Sequence, residues 1–221
     1  MLTVSEKSGS SLPILPEDSY PAICDQLIDL GDQYSDVFNT TSRKVLIGWS
    51  LPGEKLEDGG CRRISNTYTA SLSQKGNLRK MLVSWRGREF TADELNGFNL
   101  RNILGKPCLL QIIHKENKQK QVRAVVGGIM KLPKGIQIPV LEGEPYVFDL
   151  DDADAMEKIK DLPDWIAQRV KESETWKQME SEREYQAAEK IGKKEEYDEE
   201  PGDAPLGDFS DLSDLDGDLP F

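Results

Sequence analysis

The chain has 221 residues, 37% of them hydrophobic, enough to fill one modest core with appendages. Its formal charge of −12 is unevenly placed: residues 195–221 hold 11 acidic side chains and no Lys or Arg, whereas residues 19–135 hold 18 basic against 11 acidic ones. A basic body with an acidic end points to a polyanion partner for the body, and a single histidine, His114, excludes a histidine-built metal cluster.

Residues 1–18, rich in Ser, Pro and small side chains, predict a flexible leader. A first strand is expected over 20–30, ending at Gly31, followed by a polar loop over 31–42 that carries Tyr34 and Phe38. Over 43–51 the alternation is clean and predicts a second strand. Val45, Ile47, Trp49 and Leu51 share one face, and Lys44, Leu46, Gly48 and Ser50 the other. After a turn-rich loop at 52–60, the segment 64–72 alternates again, with Ile64, Asn66, Tyr68, Ala70 and Leu72 opposite a hydroxyl-lined face of Ser65, Thr67, Thr69 and Ser71.

The period then changes. Leu78, Met81, Leu82 and Trp85 recur at helical spacing, Thr91 and Glu94 have the form of a capping box, and Asn99 is placed to cap a further short helix ending at Gly105. Two more strands are expected at 108–114 and 121–130, the second bulged or bent at Gly127 and Gly128. Three strands, a helical insert and two strands is the order of an OB-fold, a five-stranded barrel with its helix between strands 3 and 4, so the fold expected is mainly β. An extended arm follows, with a short strand at 146–150. Helix is expected from Asp152, with Pro163 in the first turn of a segment carrying Trp165, Ile166 and Val170. The organisation predicted is a leader at 1–18, a barrel domain with its packed arm at 19–150, a helical extension at 151–192 and a disordered acidic tail at 193–221.

The tail ends DLSDLDGDLPF. Asp214, Asp216, Asp218, Leu219, Pro220 and Phe221 combine charge, which steers an encounter, with a ring beside the terminal carboxylate that gives buried area. Such an end suits a pocket with an apolar floor and a basic rim. It resembles the tip of bacterial single-stranded DNA-binding proteins, with Gly217 interrupting the acidic run. Independently, LRKMLVSWRGREFTADELNGFNLRNILGKPCLL, residues 78–110, resembles a family of phage and prophage OB-fold single-stranded DNA-binding or replication proteins, over roughly residues 20–135. These resemblances imply a protein that coats single-stranded DNA during phage replication or recombination, needs no cofactor, and recruits replication, recombination or repair proteins through its tip. They carry no assignment of the residues that touch DNA.

Binding a single strand without sequence preference needs rings for bases and cations for phosphates. The candidate rings are Tyr34, Phe38, Trp49 and Tyr68, the last two on faces that also suit the core. The candidate cations are Arg43, Lys44, Arg62, Arg63, Lys115, Lys118, Lys120 and Arg123. The rival classes are a protein-binding adaptor that never touches DNA and a metal-dependent nuclease. None of GxxxxGK[ST], HExxH or GxSxG is present, and Asp149, Asp151, Asp152 and Asp154 are explained by a helix start, where carboxylates complement the dipole. Three cysteines without a CxxC pair, no signal peptide and no long apolar run lead to the expectation of a bacterial host cytoplasm, reduced thiols and no membrane partner. Homo-oligomerisation is left open.

Overall fold

The computed structural model describes residues 13–117 and 119–197. The chain divides into two compact units, Met1–Met179 and Glu180–Phe221. The first holds β1 (Ser19–Ser35), β2 (Thr40–Lys55), β3 (Cys61–Thr69), α1 (Asn77–Arg86), α2 (Ala92–Asn96), a 3-10 turn (Leu100–Ile103), β4 (Pro107–Glu116), β5 (Val122–Met130), β6 (Tyr146–Phe148), α3 (Ala155–Lys158), a second 3-10 turn (Ile159–Asp161) and α4 (Asp164–Lys171). A final helix, α5 (Glu174–Tyr197), begins in the first unit, and its continuation is all that is described of the second. Among the described residues no helix is long and apolar enough to cross a membrane.

The fold is mainly β, built on one six-stranded sheet in which β3-β2-β1-β4-β5 run antiparallel and β6 pairs parallel with β1. β1 is longer than its hydrophobic pattern predicts. It continues past Gly31 to Ser35 because the polar residues 32–35 pair with 40–43 of β2, so only a short turn remains of the expected loop. Gly31 sits at a register shift with φ +69, and a Cβ there would lie 2.6 Å from the Ser173 hydroxyl, so both backbone and space call for glycine. β4 leaves the edge of β1 at Ile23, and β6 takes up the backbone groups it vacates at Gln26–Ile28. The bulge expected in β5 is present: Gln111 pairs with Gly128 and Ile112 with Val126, leaving Gly127 out of register.

The closed five-stranded barrel is not formed. Among the described residues β3 and β5 exchange no ladder hydrogen bonds, because α1 stands at the seam and Ser84 donates its hydroxyl to the Ile129 carbonyl at 2.6 Å. A cleft of about 340 Å³ remains there, lined by Asn66, Tyr68, Lys80, Ser84 and the two glycines of β5.

Two hydrophobic clusters hold the sheet. On one face, Val45, Ile47, Trp49, Leu51 and Tyr68 pack against Leu78, Met81, Leu82 and Trp85 of α1, the four residues whose spacing predicts the helix. On the other, Ile28, Leu30 and Leu46 meet Phe148, Leu150, Ala155, Ile159, Leu162, Ile166 and Val170. Spacings of three and four carry this apolar stripe through α3, the 3-10 turn and α4, which form instead of one long helix. Trp165, on the opposite side of α4, stays exposed. Thr91 and Glu94 form the reciprocal capping box, and Asn99 caps the first 3-10 turn through the Arg101 N–H at 2.9 Å. Of the leader, residues 13–18 lie along β4: Leu15 is buried and its carbonyl accepts from His114 Nε2–H at 2.8 Å, while the Asp18 carbonyl accepts from Ile112 N–H at 2.8 Å. This gives the lone histidine a structural partner.

Candidate nucleic-acid interface

The four candidate rings separate by burial. Trp49 is fully buried against Trp85, ring centres 6.1 Å apart, and Tyr68 is 8% exposed in the same cluster, so neither offers a face to a base. The physical reason is register: Trp49 and Tyr68 share the inward parity of Val45 and Ile64, which packs under α1. Tyr34 and Phe38, by contrast, are 55% and 75% exposed at the β1–β2 hairpin. Tyr34 OH donates to Asn39 Oδ1 at 2.6 Å, and Asn39 itself adopts φ +48, so the turn that presents the rings is tied down.

The cations separate by partner. Arg43 is spent on structure: its Nε lies 3.0 Å from Asp29 and its Nη2 3.2 Å from Asp151, and hydrogen bonding to Asp29 pushes the guanidinium pKa up. Arg62 donates to the Pro13 carbonyl. Lys44 Nζ donates to Thr69 Oγ1 at 2.7 Å across the β2–β3 ladder. Arg63 Nε meets Asp25 at 2.6 Å. Asp25 is 2% exposed at the other bulge of β1, and burial pushes its pKa up against the pull of Arg63.

The β4–β5 hairpin is different. Lys115 and Arg123 are Cα partners on the face away from the core, both exposed, and Lys120 stands in the turn beyond them. None of the three makes an ion pair among the described residues. Asn117 shapes that turn, its Oδ1 accepting from Gln119 and Gln121 N–H at 2.9 Å each. Two like charges directly opposite on a sheet repel, and an anion between them relieves the repulsion. Arg62 and His114 contact carbonyls two residues apart, Pro13 and Leu15, which places the start of β3 and this hairpin on the same extended segment. Lys118, and the tip residues Asp214, Asp216, Asp218, Leu219, Pro220 and Phe221, lie outside the described residues.

On the hydroxyl row of the edge strand β3, Ser65 and Thr69 are exposed and Thr67 is half-buried. Arg169 of α4 reaches this row, Nη1 to Thr67 Oγ1 at 3.3 Å. Sequence reasoning misses Arg169 because a single arginine on an amphipathic helix is indistinguishable from a solvated charge. The aspartate cluster is engaged by cations: Arg101 contacts Asp149 at 3.0 Å and Asp152 at 3.3 Å, and Lys158 contacts Asp154 at 2.9 Å. Burial pushes the Cys24 thiol up to about 12 and raises that of Cys108, so neither supplies a thiolate.

Arg63→Ala tests the division between structural and free cations. It strips a buried carboxylate of its counter-charge and is expected to cost about 1–3 kcal/mol at neutral pH. Loss of Arg63 raises the already elevated folded pKa of Asp25 further, so the penalty is full above the variant's folded pKa and fades as pH falls through the wild-type folded pKa, below which Asp25 is protonated in both folded proteins. Urea unfolding at neutral pH and near pH 4 checks this, and a pH-independent loss would mean that Asp25 is not the cause. Comparison of the chain with protein-family models, with curated proteins and with solved structures gives no match.

Proposed function

We propose that the chain is a single-stranded DNA-binding protein that coats exposed strands during phage or prophage replication or recombination. Its acidic tip recruits processing proteins. The observation that carries the reading is the Lys115–Arg123 pair, like charges set opposite each other and extended by Lys120, with no carboxylate to neutralise them among the described residues. The exposed rings of Tyr34 and Phe38, and the exposed hydroxyls of β3, offer what a base and a sugar-phosphate chain need. The order β3-β2-β1-β4-β5, with α1 between β3 and β4, supports an opened form of the OB arrangement. Engagement of the aspartate cluster by Arg101 and Lys158 weighs against the nuclease reading.

Labelled oligo(dT) titrated at several salt concentrations is expected to bind with log affinity falling about 0.7 per phosphate contact against log salt, and duplex of equal length to bind far more weakly. Salt-independent binding, or equal affinity for duplex, would overturn the reading. The Tyr34→Ala/Phe38→Ala double variant is expected to lose about 1–3 kcal/mol of binding per engaged ring, with its melting temperature nearly unchanged because both rings are exposed. Retained affinity in that variant would remove the hairpin from the interface.

A further inference from the structure

A groove of about 780 Å³ is walled by the end of α1 and by the extended segment 131–138, and its lining shares no residue with the proposed DNA surface. Its floor is apolar: Trp85 and Ile103 belong to the core, Phe98 packs edge-on to Phe90 at 5.2 Å, and Ile136 and Ile138 form an exposed wall. Its rim is basic, with Arg86, Arg88, Lys106, Lys131 and Lys134 against a single acid, Glu94.

Glu94 is already committed. Arg88 reaches it at 2.7 and 3.1 Å, Arg86 pairs with it, and it accepts from Thr91 N–H at 3.0 Å as part of the α2 cap. Hydrogen bonds from Arg88, then from Thr91, hold its carboxyl down to about 2, so it stays charged and bound to these donors. The rim therefore keeps an excess of cation. Lys106, Lys131 and Lys134 make no ion pair among the described residues, and Arg86 Nη1 has no acceptor although its guanidinium lies 4.4 Å from the centre of the Phe90 ring.

An apolar floor inside a cationic rim takes an acidic peptide with hydrophobic anchors. Residues 211–221 have that chemistry: four aspartates and no basic residue, with Leu212, Leu215, Leu219 and Phe221 set among them. We propose that this groove is the receptor for residues 211–221 of a second copy of the chain. One groove and one such segment per chain either close on a pair by reciprocal exchange or repeat head to tail from copy to copy. A protein laid along a strand uses a contact of the second kind, and in this respect the inference rests on the proposed function. The match of groove to segment does not.

A fluorescein-labelled synthetic peptide of residues 211–221, titrated against the full chain at dilution, is expected to bind saturably. Affinity should fall at least about tenfold for the Lys131→Glu/Lys134→Glu double variant at unchanged melting temperature, and similarly for a peptide carrying Phe221→Ala. The full chain should self-associate with concentration in sedimentation, and the double variant should not. Its affinity for an oligo(dT) too short to hold two copies should stay within about twofold, since Lys131 and Lys134 are not among the residues assigned to the proposed DNA surface. Unchanged peptide affinity in the double variant overturns the groove as receptor. A wild type that stays monomeric above the peptide dissociation constant overturns the second copy as donor. Joint loss of peptide and oligo(dT) binding makes the groove a nucleic-acid surface and overturns the proposal. A chain that ignores oligo(dT) yet binds peptide through Lys131 and Lys134 defeats the functional reading alone.

Discussion

Trp49→Ala is expected to leave the chain largely unfolded. Trp49 has no exposed surface, pairs across the ladder with Cys24 and Ile64, and meets Trp85 at 6.1 Å, so truncation opens a cavity where the sheet and α1 join. A buried tryptophan replaced by alanine costs about 3–5 kcal/mol, a large part of the roughly 5–15 kcal/mol that holds a domain together. No hydrogen bond is lost with it, because Trp49 Nε1 has no acceptor among the described residues. Trp49→Phe, which keeps most of the apolar area and removes that orphan N–H, should therefore fold. Far-UV circular dichroism and urea titration of the two variants check the contrast. An alanine variant with native stability and lost oligo(dT) binding would move Trp49 from the core to the DNA surface.

Replacing Lys115, Lys120 and Arg123 together with alanine is expected to weaken oligo(dT) binding about a hundredfold near 0.1 M salt. Each phosphate contact contributes about 0.7 to the slope of log affinity against log salt, so three contacts amount to about two decades at that concentration, and the slope should flatten by about two. The fold should not suffer. All three side chains are exposed, and removing a like-charged pair across the β4–β5 ladder relieves repulsion. Fluorescence anisotropy over a salt series and a thermal melt measure both halves of the expectation. Unaltered affinity and slope would show that the hairpin is a solvated loop and that phosphate is held elsewhere or not at all. Arg43→Ala is no substitute for this experiment, since it removes the partner of Asp29 and Asp151 and perturbs the fold itself.

Local periodicity by itself determined one core-facing side of β2 and the buried side of α1. The alternation of Val45, Ile47, Trp49 and Leu51, the three-and-four spacing of Leu78, Met81, Leu82 and Trp85, the Thr91–Glu94 cap and the bulge at the β5 glycines are all written in a few adjacent residues, and all are present. Such features need no knowledge of the rest of the chain, because an apolar stripe must be covered whatever covers it. Only the tertiary structure decided what that cover is. The polar strand 32–35 exists because 40–43 lies beside it, and the second face of β2 is buried because α3 and α4 return to it from more than 100 residues away. The same is true of the charges: Arg43 is taken by Asp29 and Asp151, Arg63 by Asp25, while Lys115 and Arg123 are left without a carboxylate partner among the described residues. A cation reads the same in a sequence whether it is neutralised or free, since its partner is set by folded distance. The availability of each charge to a phosphate or an acidic peptide is therefore a property of the fold.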